Sequence, residues 1–153
     1  MIQRIQSLYI SVVVFLSSML LFGNIVSFPG PEGAELELRY NGLFILSDTW
    51  DKAESLLPLT ILLLTVPVIA FITFFLFKFR KLQLRASVLT LLLLVGEVLL
   101  TAWYLFYVVT KYDASVIFNI KITFPVVSAI LMYLAFRGIL KDELLVRSYD
   151  RLR

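Results

Sequence analysis

This sequence predicts an all-α integral membrane protein. It is expected to form a four-transmembrane-helix bundle with both termini in the cytoplasm, a small extracytoplasmic β-sheet and an amphipathic cytoplasmic helix at the C-terminus. Three observations point there. Four long apolar runs divide the 153 residues. Ten of the 14 basic residues fall at alternate ends of those runs: Arg4, Lys78, Arg80, Lys81, Arg85, Arg137, Lys141, Arg147, Arg151 and Arg153. Between the runs, at the opposite ends, hydrophobicity switches to a two-residue period.

Hydrophobic residues make up 60% of the chain, against roughly 45–50% in a soluble domain. A chain this short keeps much of its surface exposed, so lipid must solvate most of the excess. Cysteine and histidine are both absent. That excludes disulfides, iron–sulfur ligation and nearly every zinc, copper or haem site, together with the side chain most used for acid–base work near neutral pH. No cofactor is expected. The net charge of +3 reads as membrane topology rather than a nucleic-acid footprint, because the basic residues gather at helix ends. No glycine-rich phosphate loop of the G-x-x-x-x-G-K-[ST] kind is present. Asp142 and Glu143 are adjacent, but successive helical residues point about 100° apart, so they do not act jointly. An enzyme is not expected.

The first span is expected over about residues 5–28, closing at Pro29-Gly30-Pro31. It exceeds a signal-peptide core of ~7–15 residues and lacks a small-x-small cleavage pattern, so it reads as an uncleaved anchor. The loop over 29–55 has a net charge of −4. Within it Glu35-Leu36-Glu37-Leu38-Arg39-Tyr40 alternates, Asn41-Gly42 follows, and Leu43-Phe44-Ile45-Leu46 returns. That pattern predicts a β-hairpin over 35–46 turning at Asn41-Gly42, with Leu36, Leu38 and Tyr40 on its inner face. Asp48–Glu54 is expected to be a short interfacial helix, Trp50 at headgroup level.

The second span is expected over about 56–77, and the 78–85 turn after it carries four basic residues and no acid. The third covers about 86–110. In the 111–124 loop, Phe118, Ile120 and Ile122 alternate with Asn119, Lys121 and Thr123. A strand over 117–123 would complete a three-stranded sheet, since a lone hairpin is marginal. Thr123 then caps a fourth span over about 125–140, with Pro125 in its first turn. The tail, 141–153, is amphipathic. Short segments rich in Lys and Arg resist translocation; this leaves the 29–55 and 111–124 loops outside.

Glu97 is the lone acid inside a span, about eleven residues from the inner end of the third. An ionised carboxylate near mid-membrane costs at least ~2.5–3.5 kcal/mol, so Glu97 is either protonated or faces a partner. Candidate partners at similar depth are Ser17, Ser18 and Tyr133, with the Leu63 carbonyl that Pro67 leaves free. A neutral hydrogen bond that pins helix packing is favoured over a proton or cation site. On the inner face, Arg4, Arg80, Arg85, Arg147, Arg151 and Arg153 are expected to meet anionic lipid headgroups or the carboxylates of a partner subunit.

Three inner-face segments resemble a known family. Met1-Ile2-Gln3-Arg4-Ile5-Gln6, the Arg80-Lys81-Leu82-Gln83-Leu84-Arg85 turn, and Lys141-Asp142-Glu143-Leu144-Leu145-Val146-Arg147-Ser148-Tyr149-Asp150-Arg151-Leu152-Arg153 are similar to the small four-span membrane proteins of Bacteroidota known as domain of unknown function 4293. The resemblance implies an inner-membrane location and a four-helix body, and supplies no activity. The expected function is that of a structural or accessory subunit in a larger inner-membrane assembly. The alternative is a small transporter or proton/ion pathway centred on Glu97. Expected partners are membrane lipids and other inner-membrane subunits, not nucleic acid.

Overall fold

The computed structural model describes residues 2–29, 35–46 and 50–150. In chain order these form α1 (Ile2–Met19), β1 (Asn24–Pro29), β2 (Glu35–Arg39), β3 (Gly42–Leu46), β4 (Trp50–Glu54), α2 (Leu57–Phe75), a 3-10 turn (Leu76–Lys78), α3 (Arg80–Tyr112), β5 (Ile117–Phe118), a second 3-10 turn (Ile120–Thr123) and α4 (Phe124–Asp150).

The helices share one spacing. Buried positions are Gln6, Ile10, Val13 and Ser17 in α1; Leu59, Leu63, Val66, Ala70 and Thr73 in α2, with Pro67 beside them; and Pro125, Ser128, Met132, Ala135 and Ile139 in α4. In α3 they are Gln83, Ser87, Thr90, Leu94, Glu97, Thr101 and Val108. Alternating steps of three and four put these residues on one seam, the pattern of a left-handed bundle of antiparallel helices. Each helix packs on its sequence neighbours, and α1 packs on α4, closing the ring.

The bundle is inside out relative to a soluble one. The buried seam of α3 is largely polar, while Leu92 (64% exposed), Leu99 (65%) and Phe106 (73%) lie on its outer surface. Water would not tolerate that distribution; lipid does. Among the described residues, three helices are long and apolar enough to cross a membrane: Leu57–Lys78, Arg80–Tyr112 and Ile120–Val146. These are the features of a membrane protein. The apolar helix Ile5–Met19 is shorter.

The first expected span does not run helical to residue 28. Helix α1 stops at Met19, and Gly23 turns the chain at φ +71°. Leu20, Leu21 and Phe22 tighten into i→i−3 hydrogen bonds before Gly23 turns the chain, and Ile25-Val26 then suit a strand flanked on both sides. Strand β1 pairs antiparallel with β2 (Phe28↔Leu36) and with β5 (Val26↔Phe118). A register shift between Asn24 and Val26 lets both Ile25 and Val26 be buried.

The 35–46 hairpin is present, but its turn is one residue earlier than expected. Arg39 pairs with Gly42, so Tyr40 and Asn41 form the loop. Asn41 keeps a negative φ, and Gly42 opens β3 at φ 148°. Leu36 and Leu38 face the core; Tyr40 is half-buried against it. The helix expected over 48–54 is instead strand β4, since β3 has an open edge that Trp50–Glu54 covers (Leu46↔Trp50, Phe44↔Lys52). Asp48 and Thr49 lie outside the described residues. The strand expected over 117–123 shrinks to Ile117–Phe118 and joins β1 rather than the hairpin. Residues Ile120–Thr123 coil into a 3-10 turn that feeds α4, and the Thr123 hydroxyl donates to the Ile120 carbonyl (2.7 Å) instead of capping the helix. The sheet therefore has five strands, in the order β4-β3-β2-β1-β5.

At the opposite end, the expected 78–85 turn is mostly helix: only Leu76–Phe79 separate α2 from α3. The fourth span and the tail are one continuous helix through Asp150. The sheet caps the bundle by burying Val26, Phe28, Leu36, Leu38 and Leu43 against Leu20, Leu59, Leu63 and Val108.

Candidate functional site

Val13, Val66, Ala70, Leu94 and Met132, contributed by all four helices, meet in one buried apolar cluster. One turn nearer the sheet, the same seams carry Ser17 on α1, Leu63 on α2, Glu97 on α3 and Ser128 on α4. Antiparallel packing puts those four residues at one level of the bundle. Beyond them lies the apolar cluster under the sheet, which includes Leu20, Leu59, Leu63 and Val108. This polar level, continued on α3 by Thr101, lies between the two apolar clusters.

Glu97 and Ser128 are 0% exposed. Among the described residues, Glu97 is the one charged side chain that is buried. Four buried side-chain polar atoms lack a hydrogen-bond partner there, and three are at this level: both Glu97 carboxyl oxygens and Ser128 Oγ. The fourth, Asn41 Oδ1, belongs to the hairpin turn. Such atoms are rare and call for an explanation. Ser17 Oγ donates to the Val13 carbonyl (2.7 Å), which leaves its lone pairs as acceptors. Pro67 lies inside the continuous helix α2 and has no N–H, so the Leu63 carbonyl loses its i+4 donor. Leu63 and Pro67 are both buried, on the bundle side of α2.

The partners expected for Glu97 divide accordingly. Ser17 and Leu63 share its level. Ser18 is only half-buried. Tyr133 is a correction: it is 46% exposed on the outer surface of α4, where the Arg137 guanidinium sits 5.9 Å from its ring centroid. Helical rotation explains this, because Met132 occupies the seam and its neighbour turns away. Ser128 was not among the expected partners. The spacing Pro125, Ser128, Met132, Ala135 would have found it.

The end away from the sheet holds a cavity of about 280 Å³ lined by Gln6, Ser7, Phe77, Arg80, Gln83, Ile139 and Asp142. Gln6 Nε2 donates to Asp142 Oδ2 (2.9 Å), joining α1 to α4. Gly138 makes room for that contact: a Cβ there would come within 2.9 Å of Gln6 Cγ. From this cavity the polar seam of α3 continues through Ser87 and Thr90 to Leu94, where the apolar cluster interrupts it. Arg80 lines the cavity and Arg85 is exposed, so neither joins Glu97. Arg4 and Arg147 lie in α1 and α4, their side chains outside the described ones. Arg151 and Arg153 lie outside the described residues.

A second polar group ties the sheet to the bundle. Lys111, in the last turn of α3, pairs with Glu54 of β4, and the Tyr107 and Tyr112 hydroxyls lie 3.4 Å from Glu54 Oε1. The hydrogen bond from Lys111 holds the Glu54 carboxyl below its ordinary value of 4.5. A depressed folded value means that the ionised form favours folding. The contribution is complete above the unfolded value and is lost as pH falls through the folded one. Amide exchange should report it. Protection in β4 is expected to hold between about pH 7 and 5 and to fall on further acidification. In Glu54→Gln that step should vanish; its persistence would assign the acid sensitivity elsewhere.

The chain belongs to the family described as Domain of unknown function (DUF4293), which it matches over residues 2–152. A search of curated proteins found no match.

Proposed function

We propose that this protein crosses a bacterial inner membrane four times, with both termini cytoplasmic, and serves as an accessory subunit of a larger membrane assembly. One observation carries the subunit reading: apolar exposure continues past the bundle onto the sheet. Phe22 (70% exposed), Phe118 (68%) and Ile120 (77%) surround the open edge strand β5. An open edge with apolar flanks suits pairing with another chain. Counting α1 as a span is supported by its place in the ring. Its 18 residues rise about 27 Å, close to a ~30 Å hydrocarbon core. The orientation rests on Lys78, Arg80, Lys81 and Arg85 at one end and the acidic 29–55 loop at the other.

Gentle extraction followed by mass spectrometry of co-purifying chains tests the role, and a stoichiometric partner is the expected result. A chain that purifies alone in every mild detergent would remove it. Because the chain has no cysteine, topology can be read from single introduced thiols. In intact cells an impermeant maleimide should label Glu35→Cys and spare Lys81→Cys.

A second reading has its own support. The carboxyl of Glu97, unpartnered and enclosed, favours a proton or ion pathway centred on that residue. Proteoliposomes carrying the protein would then dissipate an imposed ion or pH gradient, and Glu97→Gln would not. No catalytic activity is proposed.

A further inference from the structure

We infer that the level of Glu97 is a binding site for a single dehydrated monovalent cation of sodium type. This rests on the second reading above and gives it a ligand and a ligand set. The Glu97 carboxylate, Ser128 Oγ, Ser17 Oγ and the Leu63 carbonyl are oxygen donors on four different helices at one level. Both Glu97 oxygens and Ser128 Oγ lack any partner among the described residues, and Ser17 Oγ spends only its proton, on Val13. The Leu63 carbonyl lacks its usual i+4 N–H donor, because residue 67 is proline. The two Glu97 oxygens accept no hydrogen bond from a described residue, and a hard cation would supply the partner they lack.

Charge selects the valence. One carboxylate and three neutral oxygens balance a single positive charge. No cluster of three or more acidic residues is present among the described residues to hold a divalent ion. The Val13–Leu94–Met132 cluster on one side and the apolar layer under the sheet on the other flank the level with hydrocarbon, so the protein oxygens would replace the ion's hydration shell. Backbone carbonyls released from helical pairing at mid-membrane are a recurrent ligand for alkali cations.

The test uses the full-length protein in detergent and dicyclohexylcarbodiimide, an apolar reagent for membrane-buried carboxyls. Modification of Glu97, located by mass spectrometry, is measured against sodium chloride with choline chloride at equal ionic strength as the control. Sodium should protect Glu97 and choline should not. Ser128→Ala should remain reactive and require at least about tenfold more sodium for equal protection, a loss of about 1.4 kcal/mol of binding. Ser17→Ala provides an independent variant with the same expectation. Glu97→Gln should remove the modification. Reaction at Glu97 that sodium does not alter would overturn the cation site while leaving a proton-bearing carboxyl and the pathway reading intact. No reaction at Glu97 under any condition would overturn both. Sodium protection unchanged in both serine variants would overturn the ligand set.

Discussion

Phe28→Ala should destabilise the protein by about 3–5 kcal/mol, measured by reversible unfolding in detergent. Phe28 is 0% exposed and stands on the inner face of β1, the strand flanked by β2 and β5. Its ring joins the cluster in which Leu36 and Leu38 of the sheet meet Leu20, Leu59 and Val108 of the bundle end. Removing it takes away the buried apolar area and leaves a void that sheet and helices must both move to fill. The central strands cannot shift without breaking the β1–β2 ladder, so relaxation is small and the cost belongs at the high end. Glu35→Ala, on the exposed side of the neighbouring strand, should stay within about ±0.5 kcal/mol. Equal effects from the two would mean that the sheet does not pack on the bundle.

What the sequence discloses about this fold depends on where the determining interactions lie. The three long apolar runs after residue 55 are visible because a lipid-facing helix is apolar around most of its circumference, whatever it touches. The 35–46 hairpin is visible because alternation and a two-residue turn are local. Strand β1 is not, since Asn24–Pro29 closes an apolar run and its pairing partners lie at Glu35–Arg39 and Ile117–Phe118. The local sign of a turn before it is Gly23, which sits inside that apolar run. Strand β4 is likewise decided by the open edge of β3, and its charged residues read equally well as a helix turn. In the site, Glu97 stands out in any hydropathy profile. Its companion Ser128 does not, because one serine in a span is unremarkable until the seven-residue seam is counted. Tyr133 shares the depth of the seam but not its side of the helix: Met132 is 0% exposed and Tyr133 46%, and depth alone does not fix rotation about the helix axis.

Leu94→Ala is expected to cost about 2–5 kcal/mol, and Leu92→Ala within about ±0.5 kcal/mol. The two positions differ by two residues on the same helix, yet Leu94 is 0% exposed and Leu92 is 64% exposed. In a soluble helix the exposed leucine would be the anomaly. Here it faces lipid, where a leucine and an alanine differ little because the solvent is itself hydrocarbon. Leu94 instead fills the cluster with Val13, Val66, Ala70 and Met132, where lost contacts are not replaced. The void would also open between Thr90, on the cavity side, and the Glu97 level, so the same substitution thins the apolar layer that separates them. Faster carbodiimide modification of Glu97 in Leu94→Ala than in the parent protein should accompany the loss of stability. A destabilised variant with unaltered Glu97 reactivity would show that the layer packs the helices without guarding the carboxyl. Similar costs at residues 92 and 94 would overturn the inside-out arrangement, and with it the assignment of the polar seam to the interior of the bundle.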